Sequence, residues 1–299
     1  MEKNMGDAQE LIQRLNQSGR KLSKSHRRIA ECIVSHYDKA AFMTASRLGE
    51  YVGVSESTVV RFAAELGFSG YPALQSDLQE LIRSKLTSVQ RMQSASVRIA
   101  QDEILETVLN ADSAMIKATL DQTSKENFNR AVAAINKARN IYILGVRSAA
   151  TLANFLAFYF RPVYDNVVLV DSARASEVFE QIFRIDERDI CIAISFPRYS
   201  NQTINALHFI HDKGATVISI TDSELSPIAQ FADCLLIARS TMASFVDSLV
   251  APLSLINALI VAATFDRRSE VYDNLNELEK IYDEYNIYDK QEAAGEDET

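Results

Sequence analysis

Apolar residues recur at helical spacing through the first third of this 299-residue chain and change to short unbroken runs after about residue 140. The first regime predicts helices over 8–16, 23–37, 44–52, 55–66 and 71–83, with Leu48 and Val52, then Val59, Phe62, Ala63 and Leu66, facing one core. Pro72 suits the first turn of the last of these, where its missing N–H costs nothing. The helical pattern resumes over 102–121 and 125–137. The second regime predicts strands over 140–144, 167–170, 189–194, 216–221 and 234–238, each separated from the next by a helical segment. Strands of this kind, alternating with helices, indicate a doubly wound parallel sheet covered on both faces. The expected organisation is an all-α unit over 1–85, a linker over 86–101, an α/β unit over 102–285 and a disordered acidic tail over 286–299.

Ser46 to Tyr71 spells two short helices around a tight turn. Gly53 sits where the chain reverses and a positive φ is favoured, and Ser55 is placed to cap the second helix. Ser55, Ser57, Thr58 and Arg61 are the expected DNA contacts of that helix, the last three facing outward near its start, the chemistry of a recognition helix whose arginine can pair with guanine in the major groove. An ordinary helical hairpin with solvated polar residues would show the same spacing. Its flank distinguishes the two: Arg20, Lys21, Lys24, Arg27 and Arg28 form a basic run without an acid. Lys24 and Arg28 are the expected phosphate contacts. Residues 1–85 carry 12 Lys+Arg against 10 Asp+Glu, and the remainder 19 against 30, so a net +2 unit precedes one of −11. That asymmetry suits a chain that meets nucleic acid with its first part only.

Residues 8–85, with L-S-K-S-H-R-R-I-A, S-E-S-T-V-V-R-F and L-G-F-S-G-Y-P-A-L, resemble the N-terminal domain of the RpiR family of bacterial transcriptional regulators. The resemblance implies an N-terminal helix-turn-helix domain joined to a C-terminal sugar isomerase (SIS) domain that binds a phosphorylated sugar. The expected partners are therefore an operator in double-stranded DNA, a phosphosugar effector and further copies of the chain, as a homodimer or homotetramer.

Within the α/β unit, two turns at the carboxyl ends of strands start helices, where backbone N–H groups and a partial positive charge suit an anion. Gly145-Val146-Arg147-Ser148 follows the first strand, and Ser195-Phe196-Pro197-Arg198-Tyr199-Ser200 follows the third. Gly145, Arg147, Ser148, Ser195, Arg198 and Ser200 are the candidate ligand contacts, Arg198 by bidentate pairing with a phosphate. Gly145, Ser148 and Ser200 also serve as ordinary turn and cap residues on a purely local reading. The second turn resembles the S-x-S-G-x-T loop of SIS domains, with Ser195 at its first Ser and Ser200 at its Thr. Pro197 and Arg198 depart from it, as Arg147 departs from the second Gly of the SIS G-x-G-S turn; both arginines add positive charge. The SIS resemblance spans residues 102–263 and includes G-A-T-V-I at 214–218 and S-P-I-A at 226–229.

The alternative is a sugar-phosphate isomerase with an accessory helical domain, which needs a base near the sugar's C1 and C2. Glu177 is the best placed, yet it reads equally well as the exposed face of a helix, and His208 and His211 fall in a helix that carries them away from the strand ends. The expectation is a regulator with no catalytic residues. A net charge of −9 argues against a protein that coats nucleic acid or anionic membrane with its whole surface. Cys32, Cys191 and Cys234 stand singly without C-x-x-C spacing, so free thiols in a reducing cytoplasm are expected, with no metal or cofactor. The N-terminus has no apolar core for a signal peptide. The nearly apolar run 249–265, which holds Pro252, Ser254 and Asn257, is read as a core helix partly buried between subunits rather than a membrane span.

Overall fold

The computed structural model of the chain describes residues 22–75, 78, 87, 89, 91–92, 101–170, 175–242, 246–265 and 267–288. The expected helix over 8–16, most of the linker over 86–101 and most of the acidic tail lie outside them.

The helical unit holds α1 (Lys24–Ser35), α2 (Tyr37–Ala40), α3 (Ala45–Val52) and α4 (Glu56–Glu65), followed by a helical turn over 71–75. Hydroxyl caps set three of the starts: Ser23, Thr44 and Ser55 accept from the backbone N–H three residues on. The single helix expected over 23–37 is instead two. His36 leaves helical geometry (φ −137°, ψ 42°) while its N–H closes on the Cys32 carbonyl, so the chain turns between α1 and α2. Ile29, Ile33, Leu48, Val59, Phe62 and Leu74 meet in one core. The Tyr71 hydroxyl and the Gln75 amide both donate to the Met43 carbonyl at 2.8 Å, tying the last turn to the α2–α3 loop. Burial pushes the Tyr71 hydroxyl up to about 12, so it remains a donor.

The α/β unit begins with a 3₁₀ turn and α5 (Ile104–Gln122), then α6 (Lys125–Lys137), β1 (Ile141–Gly145), α7 (Ala149–Phe160), β2 (Val167–Val170), α8 (Ala175–Ile182), β3 (Ile190–Ile194), α9 (Asn201–Asp212), β4 (Thr216–Thr221), β5 (Cys234–Ile237), α10 (Val250–Phe265) and α11 (Arg268–Glu284). All strands are parallel, in the order β2-β1-β3-β4-β5. Alternate strand residues serve two cores. Ile141, Ile143, Ile192 and Ile218 pack with α6, α7 and α10, whereas Tyr142, Leu144, Cys191 and Val217 pack with α8 and α9. Between β4 and β5 the expected helix is replaced by a 3₁₀ turn over Ala229–Phe231, held to β4 where Ser219 Oγ donates to the Ile228 carbonyl.

Asp189 anchors the amino ends of β1 and β3. It is buried and accepts from Arg139 Nε and Nη2, Asn140 Nδ2 and the Asp186 N–H at 2.5–3.0 Å. Burial pushes its carboxyl up, but the hydrogen bonds from Arg139, the Asp186 N–H and Asn140, with the Arg139 charge, together outweigh this and hold it below the ordinary value of 3.8. The three cysteines are free, and burial pushes the Cys191 thiol up to about 12. Among the described residues no single helix is long and apolar enough to cross a membrane. The apolar run expected to be buried on most sides is α10, which buries Leu255, Ile256 and Leu259 yet exposes Val261 and Phe265.

Candidate functional site

The α3–α4 hairpin turns at Gly53, whose φ of +73° is the left-handed conformation its position demands. A second glycine was not read from the sequence. Gly49 is buried in α3, and a Cβ there would stand 2.8 Å from the Val54 carbonyl, so the turn packs directly on backbone. A glycine inside a helical pattern was the available signal. Ser55 Oγ accepts from the Thr58 N–H at 3.3 Å and lies 3.0 Å and 2.8 Å from the hydroxyls of Ser57 and Thr58, making one polar cluster at the start of α4. Arg61 is exposed one turn on, its Nε donating to the Ser57 carbonyl at 3.2 Å. Lys24 is exposed at the start of α1. Arg28 has a different position from that of a simple phosphate contact: its Nη2 donates to the Val52 carbonyl, at the carboxyl end of α3. The guanidinium thus caps the hairpin from α1, and only its remaining donors face outward.

At the other site, Gly145 and Ile194 are register partners in the adjacent strands β1 and β3. In the order 2-1-3-4-5, the connections leave β1 and β3 toward opposite faces of the sheet, and the crevice between such strands is where doubly wound folds bind ligands. Both predicted turns therefore flank that crevice. Gly145 is required there by close approach, since a Cβ would lie 2.5 Å from the Ala149 carbonyl and 2.8 Å from Ala153 Cβ. Arg147 takes φ +60°, a glycine-like conformation held by an arginine, and is exposed. Ser148 stands exposed before α7 and makes no side-chain cap bond, which leaves its hydroxyl available.

Ser195 is buried, its N–H donating to the Ile220 carbonyl of β4 at 3.1 Å. Arg198 is exposed, and among the described residues neither its guanidinium nor that of Arg147 is hydrogen-bonded or ion-paired. Ser200 is an N-cap, accepting from the Gln202 N–H at 3.2 Å, so the local reading of this residue holds. Three neighbours escaped sequence reasoning. Gln202 Nε2 is buried without a hydrogen-bond partner in the first turn of α9, and the Tyr199 hydroxyl donates at 2.8 Å to Asp222, buried at the end of β4. Nothing in the local pattern marked them, because their pairing joins separate βα connections.

The candidate isomerase bases lie on two helices. Glu177 is half-buried in the first turn of α8. His208 and His211 lie in the later turns of α9, with ring centroids 4.6 and 6.1 Å from that of Phe231, which precedes β5.

Two family models match the chain: a helix-turn-helix domain of the rpiR family over residues 9–85 and an SIS domain over 134–262. The HTH-type transcriptional regulator HexR of Escherichia coli (strain K12) is 24% identical over 302 residues, covering 94% of this chain and 96% of the relative. Among solved structures, the sugar isomerase domain of an RpiR transcription factor from Sphaerobacter thermophilus has a TM-score of 0.57 at 24% identity, over 60% of this chain and 99% of that one. The Vibrio vulnificus NanR protein complexed with ManNAc-6P has a TM-score of 0.56 at 19% identity, over 91% of this chain and 97% of that one.

Proposed function

We propose, from this chain's membership of the RpiR family of helix-turn-helix transcriptional regulators, that a phosphorylated sugar bound at the carboxyl end of its sheet controls operator binding. The observation that carries this reading is the pair of helix starts flanking the β1–β3 crevice, each with a serine and an exposed arginine, in one chain with a DNA-reading hairpin. A phosphate is the anion that suits both: helix N-termini supply N–H donors, and Arg147 and Arg198 supply charge. The sugar phosphate in the NanR complex, a protein of the same fold, supports that choice.

Phosphate contacts by Lys24, and by the free donors of Arg28, position α4 on the duplex, while Ser57, Thr58 and Arg61 reach base edges. The protein acts in the cytoplasm, where its operator is. A second copy covers the groove of about 890 Å³ lined by Phe128, Val132, Asn257, Val261 and Phe265 between α6 and α10, so that two α4 helices read a pseudo-palindromic site. Binding without turnover is supported by His208 and His211, which lie in the later turns of α9 beside Phe231 and not at the helix start.

The test is a thermal-shift panel of hexose 6-phosphates with the corresponding sugars as controls, followed by DNA binding at low salt. A ligand of the folded state raises Tm by mass action, and only phosphorylated sugars are expected to do so. Absence of sequence-selective DNA binding would sink the regulator reading; conversion of a panel member to its keto or aldo isomer would establish the isomerase instead.

A further inference from the structure

A chain of polar contacts leads from the 195–200 turn to the helical unit by way of the connection between β5 and α10. At its start the Tyr199 hydroxyl donates to Asp222 Oδ1 at 2.8 Å, and the Asp222 backbone carbonyl accepts from Arg239 Nη1 at 3.3 Å. Arg239 follows β5 and is held on its other side by α5: its N–H donates to Thr119 Oγ1 at 2.8 Å and its Nε to Gln122 Oε1 at 2.5 Å. Beyond it residues 240–242 pair with residues 247–248. Ser240 Oγ donates to the Ser248 carbonyl, the Ser248 N–H to the Thr241 carbonyl, and Met242 and Asp247 form an antiparallel bridge.

Met242 and Asp247 reach beyond the α/β unit, one to the helical unit and one to the linker. Met242 packs against the core of α1, α3 and α4. Asp247 Oδ2 accepts from Arg91 Nη1 at 2.6 Å, an ion pair in which the two side chains keep only 3% and 12% exposure. Residue 91 lies in the expected linker over 86–101, and further along the chain comes α5 (Ile104–Gln122), the helix that also grips Arg239.

We propose that residues 238–242 and 246–249 form a strap that transmits occupancy of the 195–200 turn to the DNA-reading helices, with Tyr199–Asp222 as its sensing end and Arg91–Asp247 with Met242 as its output end. The proposal rests on the effector reading above. An anion that draws the 195–200 turn onto the helix start moves Tyr199, and with it the carboxylate whose backbone holds Arg239. The segments 240–242 and 247–248 are braced against each other, so they shift together. A buried ion pair responds in a two-state manner, because a partial separation leaves both charges desolvated. The α3–α4 hairpin then has one placement with the pair closed and another with it open, which is the bistable element that coupling between distant sites requires.

Hydrogen–deuterium exchange on the full-length protein tests this, with inorganic phosphate, glucose 6-phosphate and N-acetylmannosamine 6-phosphate as probes. In the unmodified protein a bound probe should slow exchange at 195–200, 238–249, 87–92 and 46–66 together, severalfold at each. In Asp247→Asn, protection at 195–200 should persist while that at 87–92 and 46–66 is lost. Should Asp247→Asn not fold, Met242→Ala is the substitute, with the same loss expected at 46–66. Protection confined to 195–200 in the unmodified protein, or transmitted undiminished in the variants, overturns the strap and leaves the effector site standing. If no probe protects 195–200, the effector reading falls, and the probe-free comparison decides the strap alone: Tyr199→Phe should raise exchange at 87–92 severalfold, and an unchanged rate there refutes it.

Discussion

Arg61 is exposed on α4 and braced by the Ser57 carbonyl, so its guanidinium is partly pre-oriented before any base is met. Arg61→Ala should lower discrimination between operator and unrelated DNA by about 1–3 kcal/mol, the value of one bidentate base contact, as read by competition binding at fixed salt. Lys24→Ala should instead weaken binding to all sequences alike and reduce the salt slope by about one. Arg28 differs from both. Its tie to the Val52 carbonyl makes Arg28→Ala a change of hairpin geometry as well as charge, so a fall in melting temperature should accompany the loss of affinity. In the other unit, Arg198→Ala should abolish the thermal shift given by a hexose 6-phosphate and leave operator binding intact.

At the scale of elements, the hairpin depends on a hydroxyl and two glycines. Ser55→Ala removes the acceptor for the Thr58 N–H and should cost about 1 kcal/mol in chemical denaturation. The strand ends have their own anchor, opposite the 145–148 and 195–200 turns, in Asp189. Its folded carboxyl titrates below the ordinary 3.8, so its contribution to stability is fully present above that pH and is lost as pH falls through the lower, folded value. Asp189→Asn should therefore flatten the acid limb of the stability profile below about pH 4. It should also cost about 3 kcal/mol at neutral pH, the low end for breaking a buried pair, because Arg139 stays 37% exposed and screened.

For the whole molecule, an acidic α/β unit joined to a weakly basic helical one keeps DNA contact local to the hairpin. Exposed apolar side chains are concentrated on α10, with Val261 and Phe265, and on α5, with Leu105, Leu109 and Leu120, surfaces that a second copy would cover. Val261→Asp should shift the protein toward monomer in sedimentation and weaken binding to a two-half-site operator far more than to a single half-site.

Elements with strict periodicity were legible in the sequence. The strand at 216–221 and the helix at 125–137 fall where the pattern predicts, and the capping residues Ser23, Thr44, Ser55 and Ser200 mark helix starts because a cap is a local bond. The two strand-to-helix turns at 145–148 and 195–200 were legible for the same reason, since each lies within one connection. What the sequence could not decide is how such local pieces meet. The strand order that brings the β1 and β3 turns to one crevice, the cap that Arg28 places on a helix some two dozen residues away, the close approach that requires Gly49, and the Tyr199–Asp222 and Arg91–Asp247 pairs all join residues with no periodic relation along the chain. Local backbone preference and amphipathic spacing are encoded within a few residues of each other. The partners of a buried polar side chain are chosen only when the packed elements exclude water and leave it one place to bond.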